Sequence, residues 1–264
     1  MKEILEKLRE LTGKKHVQLA ERGNKAIEIA LRLAKQLGKK TVLAPDQGGW
    51  ITFRQYPKKL GLELKEIKTN YGLLELDDLK KNANEKSVFL TCSMPGYLVI
   101  EENLQKIQEI CAKKGTLFVN DVSGTLGTDF AKYGDIIVSS FGKWKPVNLE
   151  YGGFIATNNE EYYTEFDASY FDDRRYEALL KKFDELPSRL KKFQELRKKI
   201  LEELESFKII HKDKQGINVA ISFDDEEVKQ RIVDYCKENK LEFTECPRYI
   251  RVNEKAVSIE VKRL

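Results

Sequence analysis

Two lysines flank a tryptophan in Ser139-Ser140-Phe141-Gly142-Lys143-Trp144-Lys145, directly after the apolar run 135–138. A lysine at a strand end, partly desolvated by aromatic neighbours, has its pKa pressed downward and becomes an amine nucleophile toward a carbonyl. Upstream, Asp121 follows the apolar stretch 116–120 and precedes Val122-Ser123-Gly124-Thr125. A carboxylate there can keep a ring nitrogen protonated, because opposite charges within hydrogen-bond reach favour both ionised forms. Gly23-Asn24-Lys25-Ala26 puts a glycine where a helix begins, and the free N–H groups and dipole of a helix start can hold a phosphate. In Tyr151-Gly152-Gly153-Phe154, paired glycines let backbone pass close to a ligand or another chain. Taken alone, each feature has a plain alternative: surface charge for the lysines, a cap or turn for the aspartate, an ordinary helix start for Gly-Asn.

The elements that must position these residues are legible from periodicity. Ala26, Ile27, Ala30, Leu31, Leu33, Ala34 and Leu37 recur at helical spacing, so a helix starts near Gly23 and stops at Gly38. Apolar runs at 41–44, 87–92, 116–120, 135–139 and 153–157 read as strands, as does 62–67. Helical patterns lie between them, ending at Leu60 and spanning 76–82 and 101–114. This alternation predicts an α/β fold: a three-layer α/β/α large domain over residues 1–165 around a mainly parallel sheet, with ligands gathering at the carboxyl ends of its strands. Residues 166–264 form a helical connector and a small α+β domain. The connector, 174–207, is interrupted by Pro187, which predicts two helices or one kinked helix. Strands are expected at 216–223, 241–244, 249–252 and 256–262, with a helix at 225–239.

The bulk numbers narrow the function. Lys+Arg (47) nearly cancels Asp+Glu (43) in a chain that is 34% charged, so no gross field draws the protein to nucleic acid or membrane. The dense Lys/Arg of 189–199 is interleaved with glutamates at helical spacing and reads as a solvated exterior, with RNA binding the lesser option. Charges at the N-terminus and the lack of a long apolar run predict a cytoplasmic protein without a membrane span. The four cysteines and two histidines show no ligand spacing, so reduced thiols and no structural zinc are expected. Abundant Lys and Glu, with little Gln, His, Met and Cys, matches heat-adapted proteins.

Glycine at a helix start, an aromatic in the next loop, an aspartate after a strand, a lysine after the following strand and then Gly-Gly: this order resembles the fold-type-I pyridoxal-phosphate-dependent transferases. Within that superfamily, Asp121-x5-Gly127, Gly134-Asp135 and Ser140-Phe141-x3-Lys145-x6-Gly152-Gly153 resemble the DegT-type aminotransferases, over residues 20–160. The resemblance implies pyridoxal 5'-phosphate as cofactor, Lys145 as the Schiff-base lysine and Asp121 as partner of the pyridine nitrogen. Ser140, Gly23 and Asn24 fall on phosphate ligands, with Lys25 where the family has a small residue. Trp50 falls on the aromatic that stacks on the ring, and Ser123 lies against the opposite face. Cysteine-desulfurase-like members place the lysine three residues after the serine, which selects Lys143; the distance to Gly152-Gly153 agrees with Lys145. Small domains of this superfamily commonly present an arginine to the substrate carboxylate, and guanidinium matches carboxylate bidentately, so Arg251 is the candidate clamp and Arg248 the fallback. A homodimer is implied as well.

The family's glutamine three residues after the aspartate is Gly124 here, Pro146 follows the lysine, and the chain is short after residue 160, where the family's sugar-binding elements lie. The expected substrate is therefore an amino acid or amine rather than a nucleotide sugar, and the expected reaction amino transfer. A lyase or desulfurase is the second reading and would use Cys246 as nucleophile. A binding or scaffold protein that kept the fold without turnover is the third. A plain nucleotide-binding domain is disfavoured because Ala44-Pro45-Asp46-Gln47-Gly48-Gly49-Trp50 is not a G-x-G-x-x-G loop.

Overall fold

A computed structural model describes residues 1–248 and 252–264. In chain order the first part comprises α1 (Lys2–Thr12), β1 (His16–Ala20), α2 (Gly23–Gln36), β2 (Thr41–Pro45), α3 (Thr52–Leu60), β3 (Glu63–Ile67), a small hairpin of β4 (Thr69–Asn70) and β5 (Leu73–Leu74), α4 (Leu76–Asn82), β6 (Ser87–Cys92), α5 (Leu104–Lys114), β7 (Leu117–Asp121), β8 (Ile136–Ser140), β9 (Gly153–Thr157) and α6 (Glu160–Thr164). Seven of these strands form one sheet in the order β1-β9-β8-β7-β6-β2-β3. The five from β3 to β8 run parallel, while β9 is antiparallel to both β8 and β1. The expected mainly parallel sheet is thus present.

Both faces of the sheet are covered, which is why its inner strands read as continuous apolar runs, while the edge strand β3 is mostly exposed. On one face the stripe of α2 (Ala26, Ile27, Ala30, Leu33) packs against Val119, Val138 and Ile155. On the other, α1 contributes Ile4 and Leu8 beside Phe141, Phe154 and Leu179, while Leu79, Ile107 and Cys111 cover Phe89 and Phe118. The sequence reading missed α1 and β1. Five residues of alternating burial give β1 a short signal, and its pairing with β9 decides its state.

The rest of the chain is α7 (Tyr176–Glu203), then β10 (Ile209–Ile210), β11 (Val219–Ser222), α8 (Glu226–Glu238), β12 (Phe243–Arg248) and β13 (Val252–Ile259), ending in a 3-10 turn over Val261–Arg263. The connector is a single 28-residue helix with Pro187 inside it. Leu179, Phe183 and Leu186 before the proline and Phe193 and Ile200 after it are all buried, so packing on both sides holds one helix through the break. Four strands form a second sheet in the order β10-β11-β13-β12. Where separate strands were expected at 241–244, 249–252 and 256–262, two longer ones pair instead, Phe243 opposite Ile259 and Arg248 opposite Val252. Tyr249, Ile250 and the candidate clamp Arg251 lie outside the described residues.

The two parts of the chain are joined by backbone bonds between the segment after β6 and the segment before β11. Ile217 N–H donates to the Leu98 oxygen (3.0 Å) and Ile100 N–H to the Gln215 oxygen (2.7 Å). A Cβ on Gly216 would stand 2.3 Å from the Leu98 oxygen, so only glycine permits this approach. Among the described residues no helix is long and apolar enough to cross a membrane.

Candidate active site

The parallel strands β2, β6, β7 and β8 end at Pro45, Cys92, Asp121 and Ser140, and a cleft of about 720 Å³ opens beyond the last three. The small sheet closes it from the other side. Residues far apart in sequence come together here because strand ends of a parallel sheet share one edge.

Ser140 and the start of α2 form one corner. The first N–H groups of a helix have no acceptor within it, and those of Gly23 and Asn24 open α2 at the cleft. A Cβ on Gly23 would lie 2.5 Å from the Ser140 Cβ, so the glycine is what allows β8 to end against the helix. The Ser140 hydroxyl oxygen accepts from the Gly142 N–H (3.1 Å), and the Ser140 N–H donates to the Ser123 hydroxyl (2.8 Å). Ser123 in turn donates its N–H to Asp121 Oδ1 (2.9 Å). One chain of bonds therefore sets the aspartate, Ser123 and the serine corner relative to each other. Gly153 serves the same corner from β9, since a Cβ there would stand 2.2 Å from the Ser139 oxygen and 2.9 Å from the Gly23 nitrogen, while Gly152, at φ 84°, clears the Phe171 ring just before the strand.

Lys143 and Lys145 both line the cleft, in unequal settings. Lys143 is exposed, with its Nζ 5.2 Å from the centre of the Trp144 ring. Lys145 is half-buried, and its N–H donates to the Gly142 oxygen in a tight turn (3.2 Å). Trp50 also lines the cleft, 40% exposed. Lys25 does not: it lies within electrostatic reach of Glu28 on the body of α2, and its N–H is bonded to the Arg22 oxygen. Gly124 explains the missing glutamine, since a Cβ there would meet Met94 Cβ at 2.9 Å.

Of the small-domain wall, only Cys246 and Arg248 were read from the sequence. Ser258, Glu260 and Lys262 present alternate positions of β13 and its extension to the cleft, next to Thr244, Cys246 and Arg248 of β12. Lys262 Nζ lies 2.7 Å from Glu260 Oε2, with both side chains under a tenth exposed. Burial pushes the Glu260 carboxyl up, but Lys262, Asn218 and Arg263 together outweigh it and hold it below the ordinary glutamate value of 4.5. Arg263 stacks on Trp144 (4.3 Å to the ring centre) and pairs with Glu242 at 3.0 Å, so the chain's last turn rests on the lysine loop. The signal was present in 256–262, where polar residues alternate with apolar ones at a strand's period. Arg248, the fallback clamp, also lines the cleft.

Cys246 lines the cleft, but 7% exposed and in a strand, with its thiol donating to the Thr244 oxygen (3.7 Å). Burial pushes it up to about 11. A buried strand thiol held in its protonated form is a poor match for the mobile thiolate that the desulfurase reading needed. Its charged lining, Arg22, Lys143, Lys145, Arg248, Lys262 and Arg263 against Asp121 and Glu260, suits anionic ligands.

A seven-stranded sheet with this order of glycine, aspartate and lysine at its strand ends defines a fold-type-I pyridoxal-phosphate transferase. A family model described as the DegT/DnrJ/EryC1/StrS aminotransferase family matches residues 1–169, and one described as the MJ1341 family C-terminal domain matches 187–264. The chain belongs to the DegT/DnrJ/EryC1/StrS aminotransferase family. No curated protein matches it in sequence. Three solved structures share its fold. They are Spr1654 of Streptococcus pneumoniae in its PLP form (TM-score 0.76, 14% identity, covering 98% of this chain and 85% of that one), a DegT/DnrJ/EryC1/StrS aminotransferase of Brucella abortus (0.77, 14%, 98% and 84%) and the aminotransferase PseC of Helicobacter pylori (0.78, 14%, 97% and 84%).

The residues present fit the cofactor of this class. A phosphate has a helix start cleared by Gly23 and the Ser140 corner, a ring nitrogen has Asp121 with Oδ2 left by Ser123, and an aldehyde carbon has a lysine.

Proposed function

We propose that this protein transfers an amino group from an amino acid donor to a keto sugar, with pyridoxal phosphate carried on Lys145. The observation that supports it best is the meeting of Gly23, Asn24, Asp121, Ser140 and Lys145 at one edge of the sheet, inside the segment that matches the aminotransferase family. When bound, the cofactor supplies an electron sink at the carbon that gains or loses the amino group. The chain's own parts do the rest. Ser140 and the α2 start grip the phosphate, Asp121 keeps the ring nitrogen charged, Trp50 and Ser123 bound the ring, and the Lys145 amine moves the proton at the reacting carbon. The donor leaves as a keto acid and the sugar carbonyl becomes an amine, so the two half-reactions balance. The lower exposure of Lys145, against the exposed Lys143 over its tryptophan, favours the former as the attachment point.

A sugar acceptor replaces the amino acid or amine expected from chain length. PseC takes part in the biosynthesis of pseudoaminic acid. The fold common to this chain and PseC covers 97% of this chain and 84% of PseC, and the short C-terminal half still lines a cleft within the usual range of ligand-pocket volumes. Two copies of the chain, with the exposed Trp50 and Ile51 beside the cleft on an apolar rim, are part of this reading, as is a cytoplasmic location.

The test is a visible spectrum of the protein with pyridoxal phosphate, beside Lys145→Ala and Lys143→Ala, followed by amino donors with keto sugars and with keto acids. A borohydride-sensitive band lost only in Lys145→Ala, and an amino sugar as product, is the expected result. A band lost in Lys143→Ala moves the attachment point, amination of keto acids alone restores the amino acid substrate, and no band in the wild type overturns the reading.

A further inference from the structure

A second cavity, of about 390 Å³, lies behind the cleft where three parts of the chain meet: Met94, Gly124 and Thr128 of the large domain, Gln194 and Arg197 of α7, and Ile217 of the small domain. Three cations of the described structure are buried. Lys14 donates to the Gly134 oxygen at 2.6 Å and feels the Asp135 carboxylate, and Lys262 is paired with Glu260. Arg197 differs. It is 8% exposed, its Nε donates to the Asn218 oxygen (3.1 Å), and among the described residues no carboxylate lies in ion-pair range. Burial lowers its pKa with no opposing charge to raise it. A guanidinium carries five N–H donors in a planar fork, and keeping one out of water without an anion is costly unless an anion arrives.

The cavity around it is a built space. Its floor is the backbone bridge between the domains, with Ile217 and Ile100 bonded across it. Met94, Gly124 and Ile217 line both this cavity and the cleft, so an occupant would press on the wall that faces the cofactor ring's partner Asp121. Lys198 adds a second cation at the mouth, exposed and 3.8 Å from Glu202.

We propose that this interdomain cavity is an anion site in which Arg197 receives a carboxylate or phosphate group of a small molecule. The group is either the distal end of a substrate reaching past Met94 or a separate effector bridging the two domains. The site stands on its own geometry and does not depend on the reaction assigned above.

Titration calorimetry of the cofactor-saturated protein with inorganic phosphate and with malonate tests it, the added cofactor keeping the serine corner occupied. Arg197→Met should weaken binding about tenfold or more, by the usual worth of a hydrogen bond to a charged group. Gln194→Glu offers a control at an exposed position: it supplies Arg197 with a carboxylate, so it should weaken anion binding and raise the melting temperature of the unliganded protein. Wild-type affinity retained in Arg197→Met, or no binding of either anion to the wild type, overturns the proposal. If binding is seen, competition with the amino substrate identifies a substrate's distal group, and binding without competition identifies an effector. A missing cofactor band with intact Arg197-dependent binding would sink the aminotransferase reading and leave this one standing.

Discussion

The two walls of the cleft are built on different principles. The large-domain wall is made of backbone: a helix start, strand ends and the hydrogen-bond chain Asp121, Ser123, Ser140, Gly142, with glycines at each close approach. The small-domain wall is made of paired charges, with Glu260, Lys262 and Arg263 just past the end of one strand. A cofactor shared across a family needs fixed backbone geometry, whereas a substrate is selected by charges that can be exchanged one at a time. The two family models divide at the same place, one ending at residue 169 and the other starting at 187.

The largest effect that sharpens this comparison belongs to Lys145. Lys145→Ala should lower amino transfer by about 10⁴-fold, the upper range for a positioned proton-transfer group, while Lys143→Ala leaves it within about tenfold. Single-turnover kinetics separates the two, and comparable losses would mean that the loop works as a unit. Next comes Glu260→Gln on the opposite wall. It removes the buried carboxylate 2.7 Å from Lys262 Nζ and should destabilise the fold by about 3 kcal/mol, read by thermal or urea unfolding. Because the Glu260 pKa is depressed on folding, its stabilisation is fully present above the unfolded value near 4.5 and fades as pH falls through the lower folded value. The variant should lose that acid-side dependence, and an unchanged stability curve would show that the wall does not rest on this pair.

Asp121→Asn is expected to cost less, about a hundredfold in turnover, or ~2.7 kcal/mol, since the cofactor keeps its phosphate grip and loses only the charge at the ring nitrogen. A cofactor band that forms normally while turnover falls would place the effect on the electron sink. A band that fails to form would instead show that Asp121 holds the whole Ser123–Ser140 corner in place.

What the sequence disclosed follows the same division. Backbone requirements leave strong marks: glycine at positions 23, 152 and 153, and apolar runs before Asp121 and Ser140, point to the proposed cofactor side without any partner information. The strands β2, β6, β7, β8 and β9 were legible because burial on both faces makes continuous apolar runs. Side chains that meet only through tertiary structure leave none. Nothing local says that Arg263 will stack on Trp144, that Lys262 will be buried, or that α7 will continue through Pro187. Lys25 shows the reverse error, a residue adjacent in sequence to the phosphate corner that the first turn of α2 carries away from it.

Cys246 gives the smallest expected effect and the cleanest discrimination between reaction classes. It lies on the charge-built wall, yet its thiol, pushed up to about 11, is almost entirely protonated at neutral pH. Mass-mapped iodoacetamide labelling at pH 8 should modify Cys246 roughly a hundredfold more slowly than a free cysteine of ordinary pKa near 8.5, with the rate rising as pH approaches 11. Cys246→Ala should then leave amino transfer nearly unchanged and cost about 1 kcal/mol of stability for the small cavity it opens. Fast labelling, or a persulfide on Cys246 after incubation with cysteine, would mean that β12 opens in solution. The substrate wall would then be a mobile element carrying a nucleophile, and the contrast between a fixed cofactor side and a charge-matched substrate side would fail.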